Sequence, residues 1–412
     1  WILNSEILIN NKDENFKNYF LQSIINQVNH LKKNYKFEDD YLKKIKILTT
    51  IMLSGLVFKD YFENFELNLK ELRRIIDSFF DKDGFPINRN PNNLLEFSKY
   101  LILIKECTKD AQQYVPEYLD EIIEKNIKCL MSVAAVNNEI PLFNGAMEIS
   151  LEEYFNYLNT LNYKEEKKMG FVGGIKKIKS KKNTIFFDVG NPPPKRFSSY
   201  YQSGPLSFEY SMDNNKIITN CGFGNSISKK GEFLSRLTSA QSTLCLNDYS
   251  VVEFEKNKLI NEAFGTSIKN TFKVYDVNHE VKDSNICSEA THNAYEKKFG
   301  YVHKRKIKLN TDGDLEGVDS LIKIRNTTNA YFSIRFHLYP DITAVQTISG
   351  DSILIQVKKN KPLFFSSVGN KISLEKSLFF GRNKILNNLC ITISGKTNAE
   401  DKIINWNIKK DK

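Results

Sequence analysis

Histidine, tyrosine and arginine recur in one short segment of this chain, in an arrangement suited to proton transfer. The segment contains His292, Tyr295, His303 and Arg305. Its composition is typical of two strands joined as a hairpin. Residues two apart in a strand share a face, so His303 and Arg305 should point the same way. A tyrosine beside a histidine provides one proton donor and one proton acceptor, and we predict that these four residues are catalytic.

A structural role for the same residues is the alternative. Histidine and arginine within a β-sandwich often satisfy buried backbone groups or a buried carboxylate, and Glu209 is a candidate for that carboxylate. The same spacing places Arg335 and His337 on one strand face. Both interpretations require strands that hold these side chains together.

Residues 1–167 are predicted to form helices joined by short connections. Apolar residues at steps of four and three give one face to a helix starting near Phe16 and to another ending near Phe79. Further helices fit 93–106, 116–134 and 151–161, with Asp, Asn, Gly and Pro in the links. Short links favour antiparallel pairs arranged as a ring. The first residue is Trp1, and we expect the start of such a ring to be missing.

From about Gly170 the apolar pattern changes to an alternation of period two, which is typical of strands. Such runs occur at 185–189, 216–219, 331–337 and 353–357. Residues 311–314 have the composition of a hairpin turn, and the lysine-rich run 176–182 fits a solvated strand and its turn. We predict a large antiparallel β-sandwich over residues 168–412, with the boundary at 164–168.

The chain carries a formal charge of +10, from 59 basic and 49 acidic residues. A basic surface suits a polyanion such as nucleic acid, anionic lipid or acidic polysaccharide. A lysine-rich coding bias explains the charge equally well, because asparagine and isoleucine are also abundant. No recognised nucleic-acid-binding motif accompanies the charge, so we expect no nucleic acid partner.

Hydropathy and spacing exclude several other classes of protein. The most apolar stretch, Ile45–Phe58, contains Lys46 and two threonines, so we expect a buried helix and no membrane-spanning segment. Six widely spaced cysteines without a CxxC pair exclude a metal cluster of the zinc-finger type. Gly222-Phe223-Gly224 lacks the third glycine and the strand–helix context of a phosphate-binding loop.

Five short segments, taken in order after a helical half, resemble the C-terminal β-domain of the heparinase II/III family. They are Phe187-Asp188-Val189-Gly190, Leu206-Ser207-Phe208-Glu209, Ser239-Ala240-Gln241-Ser242-Thr243-Leu244, His292-Asn293-Ala294-Tyr295 and Phe299-Gly300-Tyr301-Val302-His303-Lys304-Arg305. That family consists of polysaccharide lyases and their relatives. The resemblance implies an α+β multidomain fold: an N-terminal (α/α) toroid, incomplete at its start, followed by a large antiparallel β-sandwich.

The resemblance implies β-elimination beside a uronic acid as the chemistry. Such a lyase neutralises the sugar carboxylate, removes a proton from the neighbouring carbon and protonates the leaving oxygen. We expect the four residues of the first segment to perform these steps. Tyr201 is expected to stack on a sugar ring, and His337 to contact the substrate.

The loop before residue 91 departs from the family pattern. In the lyases it begins with Asp-Gly, carries a glutamate midway and ends in a Tyr-His pair. Asn88 stands at the glutamate position here, and Asn93-Leu94 replaces the pair, so the usual proton donor is missing. We expect Asn88, Arg89 and Asn90 to bind a substrate carboxylate at a helix start. Capping of that helix by Asn90 or Asn92 is the alternative.

Two further segments of the lyases have weak counterparts in this chain. An Asn-His pair of the family corresponds to Leu42 and Lys43, neither of which can replace it. Asn144, within Pro141–Gly145, is expected to face the substrate cleft, with a plain turn as the alternative.

Zinc is held by two histidines and an aspartate in many family members. The corresponding positions here are Gln202, Asn220 and Gln241. Carboxamides are poor zinc ligands, so we expect no metal and no other cofactor. A hydrogen-bonded network of the three side chains is expected instead, with Gln202 and Gln241 contributing to substrate binding.

Two functions fit these observations. The first is a carbon–oxygen lyase that cuts a heparin- or heparan-like or other acidic polysaccharide by β-elimination. The alternative is a non-catalytic protein that binds or scaffolds an acidic glycan through an eroded lyase site. In both cases the partner is an acidic polysaccharide, and the resemblance implies the periplasm or cell envelope as the location.

Overall fold

The computed structural model describes residues 2–6, 10, 13–163, 169–180, 183–257, 261, 265–282, 285–310, 313–325, 328–357 and 361–410. The chain divides into two compact units, Trp1–Pro86 with Asn93–Leu130, and Ile87–Asn92 with Met131–Lys412. The predicted boundary at 164–168, the end of the lysine run at 181 and 182, and residues 311 and 312 of the predicted turn lie outside the described residues. Domains of 1–167 and 168–412 therefore stay a prediction.

The helical part follows the predicted segments closely. Its helices are α1 (Glu14–Tyr35), α2 (Tyr41–Val57), α3 (Glu63–Phe79), α4 (Pro91–Asp110), α5 (Glu117–Val133) and α6 (Glu152–Thr160), with a 3₁₀ turn at Lys59–Tyr61. Along the chain, α1 packs on α2 and α2 on α3. Their arrangement as a toroid with an incomplete start stays a prediction.

Helix α1 begins where Asp13 accepts hydrogen bonds from the amides of Asn15 and Phe16. Its predicted apolar face is partly confirmed, because Ile24 and Val28 are buried. Phe16 lies at the first turn and is 38% exposed, so the face does not extend to the start of the helix.

Helix α2 contains the most apolar stretch of the chain, and residues such as Leu48 and Met52 in its middle are completely buried. On α3 the predicted face is buried at Leu72, Ile75, Ile76 and Phe79. No helix among the described residues is long and apolar enough to cross a membrane.

The strands account for the predicted sandwich. They are β1 (Phe171–Val172), β2 (Ile175–Ser180), β3 (Asn183–Asp188), β4 (Phe208–Met212), β5 (Asn215–Thr219), β6 (Leu244–Leu246), β7 (Val274–Lys282), β8 (Asn285–His292), β9 (Tyr301–Leu309), β10 (Leu315–Lys323), β11 (Tyr331–Leu338), β12 (Thr343–Gln346), β13 (Ser352–Gln356), β14 (Leu363–Ser366), β15 (Lys371–Phe379), β16 (Leu386–Lys396) and β17 (Lys402–Lys410). Short helices α7 (Lys229–Arg236) and α8 (Glu296–Phe299) lie between strands.

These strands form two sheets. The first has the order β1-β2-β3-β4-β5-β11-β16-β15, with β6 also paired to β11, and the second has the order β12-β13-β14-β17-β10-β9-β8-β7. The strand pairs within both sheets are antiparallel. The α+β fold predicted from the sequence, helices followed by a large antiparallel sandwich, is therefore confirmed.

Aromatic side chains from both sheets meet in the core. Phe208 on β4 stacks on Trp406 of β17 with ring centroids 5.6 Å apart, and Phe336 on β11 meets the same indole edge-on at 4.8 Å. Gly317 on β10 pairs with Trp406 across the strands, and a side chain there would overlap the indole ring. The close approach of this ring therefore requires glycine.

Strand β7 lies at one end of the second sheet. Beyond Val274 its residues are exposed, and its pairing with β8 shifts register between Tyr275 and Asn278. Asp276 lies within this irregularity and has a left-handed backbone conformation, with φ of 52°. The strand therefore carries a β-bulge at its start.

Candidate functional site

The predicted catalytic residues lie together on adjacent strands of the second sheet. In the register of the strands, His292 of β8 stands opposite His303 of β9, and Arg305 of β9 stands opposite Asp319 of β10. The expected hairpin is present, but its connection contains α8, so Tyr295 lies in the connection just before this helix. The alternation of strand side chains thus brings the predicted residues to one face.

A continuous chain of hydrogen bonds joins these residues through Asp319. His292 Nε2 lies 3.1 Å from His303 Nδ1, and His303 Nε2 lies 2.6 Å from Asp319 Oδ1. Arg305 donates from Nε to Oδ1 at 2.8 Å and from Nη2 to Oδ2 at 3.1 Å. Trp406 Nε1 donates to the same Oδ2 at 2.8 Å. We refer to His292, His303, Arg305, Asp319 and Trp406 as the Asp319 network.

The carboxylate fixes the tautomers along the network. An ionised Asp319 only accepts, so His303 must donate from Nε2 and can then accept at Nδ1 only from a His292 Nε2–H. His292 Nδ1 in turn accepts from the backbone amide of Ala294 at 3.2 Å. The hydrogen bonds therefore run in one direction, from the Ala294 amide to Asp319, with both histidines neutral.

The charges of the network agree with this assignment. Burial, reinforced by the nearby Arg305, holds the pKa of His292 well below its ordinary value, and burial also lowers the pKa of His303. Burial alone would raise the pKa of Asp319, but Arg305 and His303 outweigh it and lower that pKa. The aspartate is therefore ionised and the two histidines are uncharged at neutral pH.

All of these groups are enclosed by protein. His292, His303, Arg305, Asp319 and Tyr295 have no solvent exposure. The Tyr295 hydroxyl donates to the Leu244 carbonyl at 2.7 Å, and burial raises its pKa well above the ordinary value. The contacts are those of the structural alternative, with Asp319 as the carboxylate rather than Glu209. The catalytic roles of His292, Tyr295, His303 and Arg305 stay a prediction.

Arg305 also binds two of the loops that connect strands of the first sheet. Its Nη1 donates to the carbonyls of Leu206 and Ser242, each at 2.8 Å. Every nitrogen of the guanidinium is thus engaged by protein oxygens. Asp319 was not among the residues predicted from the sequence, although a signal for it exists. Asp319 alternates in step with the buried positions Leu315, Gly317 and Leu321 on β10, so it lies on the buried face of the strand. A charged residue is unexpected on that face.

The loop at 87–92 is buried, and Arg89 is its central residue. Arg89 Nη2 lies 2.5 Å from Asp188 Oδ1, and Nε donates to the Gly173 carbonyl at 2.9 Å. Its Nη1 donates to the carbonyls of Gly190 and Asn191 at 3.3 and 3.2 Å. A side chain at Gly190 would overlap this guanidinium. Arg89 therefore binds a carboxylate, as its chemistry predicts, but the carboxylate belongs to the chain itself.

The asparagines of this region also contact the protein backbone. Asn88 Oδ1 accepts from the Asn90 amide at 3.1 Å, and Asn90 Oδ1 accepts from the Asn92 amide at 2.8 Å, just before α4 begins. This is the geometry of a helix cap, the predicted alternative. Asn144 is buried, has φ of 54°, and donates from Nδ2 to the Arg89 carbonyl at 3.4 Å. A substrate role for Asn88, Arg89, Asn90 and Asn144 stays a prediction.

Carboxamides occupy the three positions that the resemblance assigns to zinc ligands. Their hydrogen bonds go to backbone groups and not to one another, so the predicted network is present only where Gln202 and Gln241 share one carbonyl acceptor. Gln202 Nε2 and Gln241 Nε2 both donate to the Ser235 carbonyl at 2.8 Å. Gln202 also accepts from the Gly145 amide at 3.0 Å, and Asn220 Oδ1 accepts from the Ser242 amide at 2.9 Å. All three side chains are buried. Among the described residues, no group of three or more His, Cys, Asp or Glu could hold a metal ion.

His337 and Tyr201 are buried as well. His337 Nε2 lies 3.0 Å from the Ser239 carbonyl and therefore carries the proton, so Nδ1 can accept from Ser377 Oγ at 3.0 Å. Burial lowers the pKa of His337 to about 4. Tyr201 is 1% exposed, and burial raises the pKa of its hydroxyl. Neither ring is open to a sugar in this structure, and their assignment to substrate binding stays a prediction.

A match to a family model covers more than half of the chain. Residues 163–407 match the model described as heparinase II/III-like, C-terminal. The chain belongs to the heparinase II/III-like family. The match spans all but the last few residues of the sandwich, and it includes the Asp319 network and the carboxamide positions.

Solved structures of this family share the fold. Heparan sulfate lyase HepC from Pedobacter heparinus is 15% identical and aligns over 98% of this chain and 65% of its own, with a TM-score of 0.73. The heparinase III that is the BT4657 gene product is 13% identical over 96% of this chain and 64% of its own, with a TM-score of 0.76. At these identities the likeness concerns the fold.

A curated relative of this chain is named for its localisation, whereas the two solved structures are named as enzymes. FtsZ-localized protein C of Caulobacter vibrioides is 26% identical over an alignment of 308 residues, and the match covers 71% of this chain and 52% of that protein. The chain thus spans about half the length of this relative and about two thirds of the length of the two lyases.

Proposed function

We propose that this heparinase II/III-like chain binds a uronic-acid-containing polysaccharide in the periplasm or cell envelope without cutting it. One observation carries the proposal: the His–Tyr–Arg set that would perform an elimination is completely buried and hydrogen-bonded within the protein. A general base must reach the proton that it removes, directly or through one water. The same set acts here as a structural support.

Three further observations support the proposal. Asn93-Leu94 stands in place of the Tyr-His pair of the lyases, so the usual proton donor is missing. The net charge of +10 favours association with a polyanion. The relative from Caulobacter vibrioides is named for its localisation with FtsZ and not for an enzymatic activity.

Cleavage of the same polysaccharide by β-elimination is the second candidate. The lyases with known structures share the fold over nearly the entire chain, which favours this activity. It requires catalytic groups other than those of the Asp319 network, or an opening of the core that exposes them.

Ultraviolet absorbance separates the two functions. β-Elimination creates a conjugated double bond, so incubation with heparan, chondroitin, hyaluronan and alginate would raise the absorbance if the protein is a lyase. We expect a flat trace on every polymer, with retention of the protein on the same immobilised polymers but not on neutral dextran. Rising absorbance would reject the non-catalytic function in favour of lyase activity. Absence of retention on all four polymers would reject the acidic polysaccharide as the partner.

The Tyr295→Phe variant tests the role of the buried cluster in that assay. This change removes one hydroxyl and its hydrogen bond to Leu244. We expect retention on acidic polymers to be unchanged. Absorbance that rises for the wild type and not for Tyr295→Phe would assign the tyrosine to catalysis.

A further inference from the structure

A second polar site lies in the sandwich unit, away from the residues predicted from the sequence. It is a cavity of about 290 Å³ that opens to solvent and is lined by Lys216, Arg382, Tyr339, Glu139, Asp341 and Asn215 among others. This volume is near the lower end of the range of about 300–1,000 Å³ that is typical of small-molecule sites. It suits one small ligand.

The β4–β5 hairpin positions the cavity floor. Asp213 and Asn214 at its tip both have left-handed conformations, with φ of 49° and 66°, as a tight hairpin turn requires. Lys216 follows at the second position of β5 and is only 7% exposed. The turn thus directs a lysine inward, where it lines the cavity.

The Lys216 ammonium has unused hydrogen-bonding capacity. It lies 3.4 Å from Glu209 Oε2 and 3.7 Å from Glu139 Oε2, yet it makes no hydrogen bond of good geometry with the described residues. Burial alone would lower the pKa of Lys216, but the surrounding glutamates outweigh it and raise that pKa, so the group is charged. The ammonium nitrogen itself is enclosed, so it supplies a fixed positive charge beneath the cavity, and the donors that a ligand can reach are those of the cavity wall.

The cavity wall combines donors and acceptors. Arg382 pairs with Glu148 at 2.5 Å, lies 3.7 Å from Asp341, and donates a hydrogen bond to the Tyr339 hydroxyl. The Arg382 side chain is 33% exposed and the Asp341 side chain is 54% exposed, so a ligand can reach both. Cationic donors thus alternate with carboxylate acceptors around the opening.

This alternation decides the chemistry of the ligand. A free anion would meet Glu139 and Asp341, and a cation would meet Lys216 and Arg382, so either would be repelled by two of the four charged residues in the lining. A sugar hydroxyl donates and accepts at the same time and is satisfied by both kinds of group. We propose that this cavity binds a single pyranose unit through its hydroxyl groups and not through a carboxylate. The site goes beyond the proposed polymer binding, which could hold without it.

Saturation-transfer NMR on the full chain tests the cavity with methyl β-D-glucopyranoside and methyl β-D-glucuronide as probes. We expect transfer to the glucoside at millimolar affinity, at least as strong as to the glucuronide. Arg382→Gln and Asp341→Ala should each weaken binding about tenfold, because each removes a charge-assisted hydrogen bond. Arg325→Gln is the matched control, since Arg325 is exposed, pairs with Glu296 and does not line the cavity.

The outcomes distinguish this site from the polymer-binding function. No transfer to either probe, or equal transfer in wild type and both variants, would overturn the cavity as a sugar site. A clear preference for the glucuronide would overturn hydroxyl recognition. Retention on acidic polymers is measured separately, so its loss would reject the proposed function without affecting the cavity.

Discussion

Arg305 faces Asp319 directly across β9 and β10, and the two form a two-pronged ion pair where neither has any solvent exposure. The aspartate also accepts hydrogen bonds from His303 and Trp406, so one carboxylate joins three strands of the second sheet. Breaking such a pair from one side leaves an uncompensated buried charge, which costs far more than removing the whole pair.

We predict that Asp319→Asn lowers the free energy of unfolding by about 3–5 kcal/mol, because it leaves Arg305 buried without a counter-charge. Urea unfolding monitored by circular dichroism measures the change. Asp248→Asn serves as the control: Asp248 pairs with Arg335 but its side chain is 77% exposed, so a loss below about 1 kcal/mol is expected. Equal losses in the two variants would show that the buried pair is not a major support.

The space around Arg89 gives a second prediction. Gly190→Ala should destabilise the protein, because the added methyl group overlaps the Arg89 guanidinium and would displace it from Asp188. In an Arg89→Ala background the same change should cost less, since the clash is gone. Thermal unfolding of the four proteins of this cycle provides the test. Gly170→Ala is the control, as a methyl group there would meet only the end of the Lys176 side chain at 3.5 Å.

The stability of the protein should fall as the pH is lowered through the histidine range. Burial lowers the folded-state pKa of His337 from 6.5 to about 4, so the unfolded chain binds a proton that the folded chain does not. Stability is therefore complete above pH 6.5 and is lost progressively down to about pH 4. Each such group contributes a slope of up to about 1.4 kcal/mol per pH unit.

Replacement of His337 checks the assignment of this slope. His337→Gln should reduce the pH dependence of urea unfolding by one proton within that window. Ser377→Ala keeps the histidine and its contact with Ser239, and should retain the full slope. If His337→Gln leaves the slope unchanged, the titration belongs to other groups, of which His292 and His303 are the first to examine.

Zinc content is the fourth prediction. The carboxamides of Gln202, Asn220 and Gln241 form hydrogen bonds with backbone groups. We therefore expect elemental analysis of the purified protein to find less than one zinc per chain. Treatment with a chelator should leave the thermal midpoint unchanged. A full equivalent of zinc would show that the correspondence of these three positions to the family's ligands is wrong.

The spacing of apolar residues predicted the helices and strands because it depends only on local sequence. The 3.6-residue pattern of α3 and the alternation of β11 each follow from neighbours a few positions away. Alternation also placed His303 and Arg305 on one face. It could not show that the face is covered, because the carbonyls that Arg305 meets there belong to Leu206 and Ser242, which lie 99 and 63 positions away in the sequence.

Long-range pairing explains the other differences between prediction and structure. Arg89 has the right chemistry for a substrate carboxylate, but its partner Asp188 lies 99 positions along the chain. Lys216 was seen only as part of a strand, since its inward direction depends on the backbone conformations of Asp213 and Asn214. Residue type predicted what these side chains can bind, and folding decided which partner they find.

The bulge at the start of β7 has a consequence for behaviour at high concentration. A long, regular edge strand offers a row of amides and carbonyls on which a second molecule can continue the sheet, and such growth leads to aggregates. The shifted register around Asp276 and the charged residues Glu280 and Lys282 interrupt that row. Under the proposed function, in which molecules gather side by side on one polysaccharide, they can thus crowd together and still remain separate.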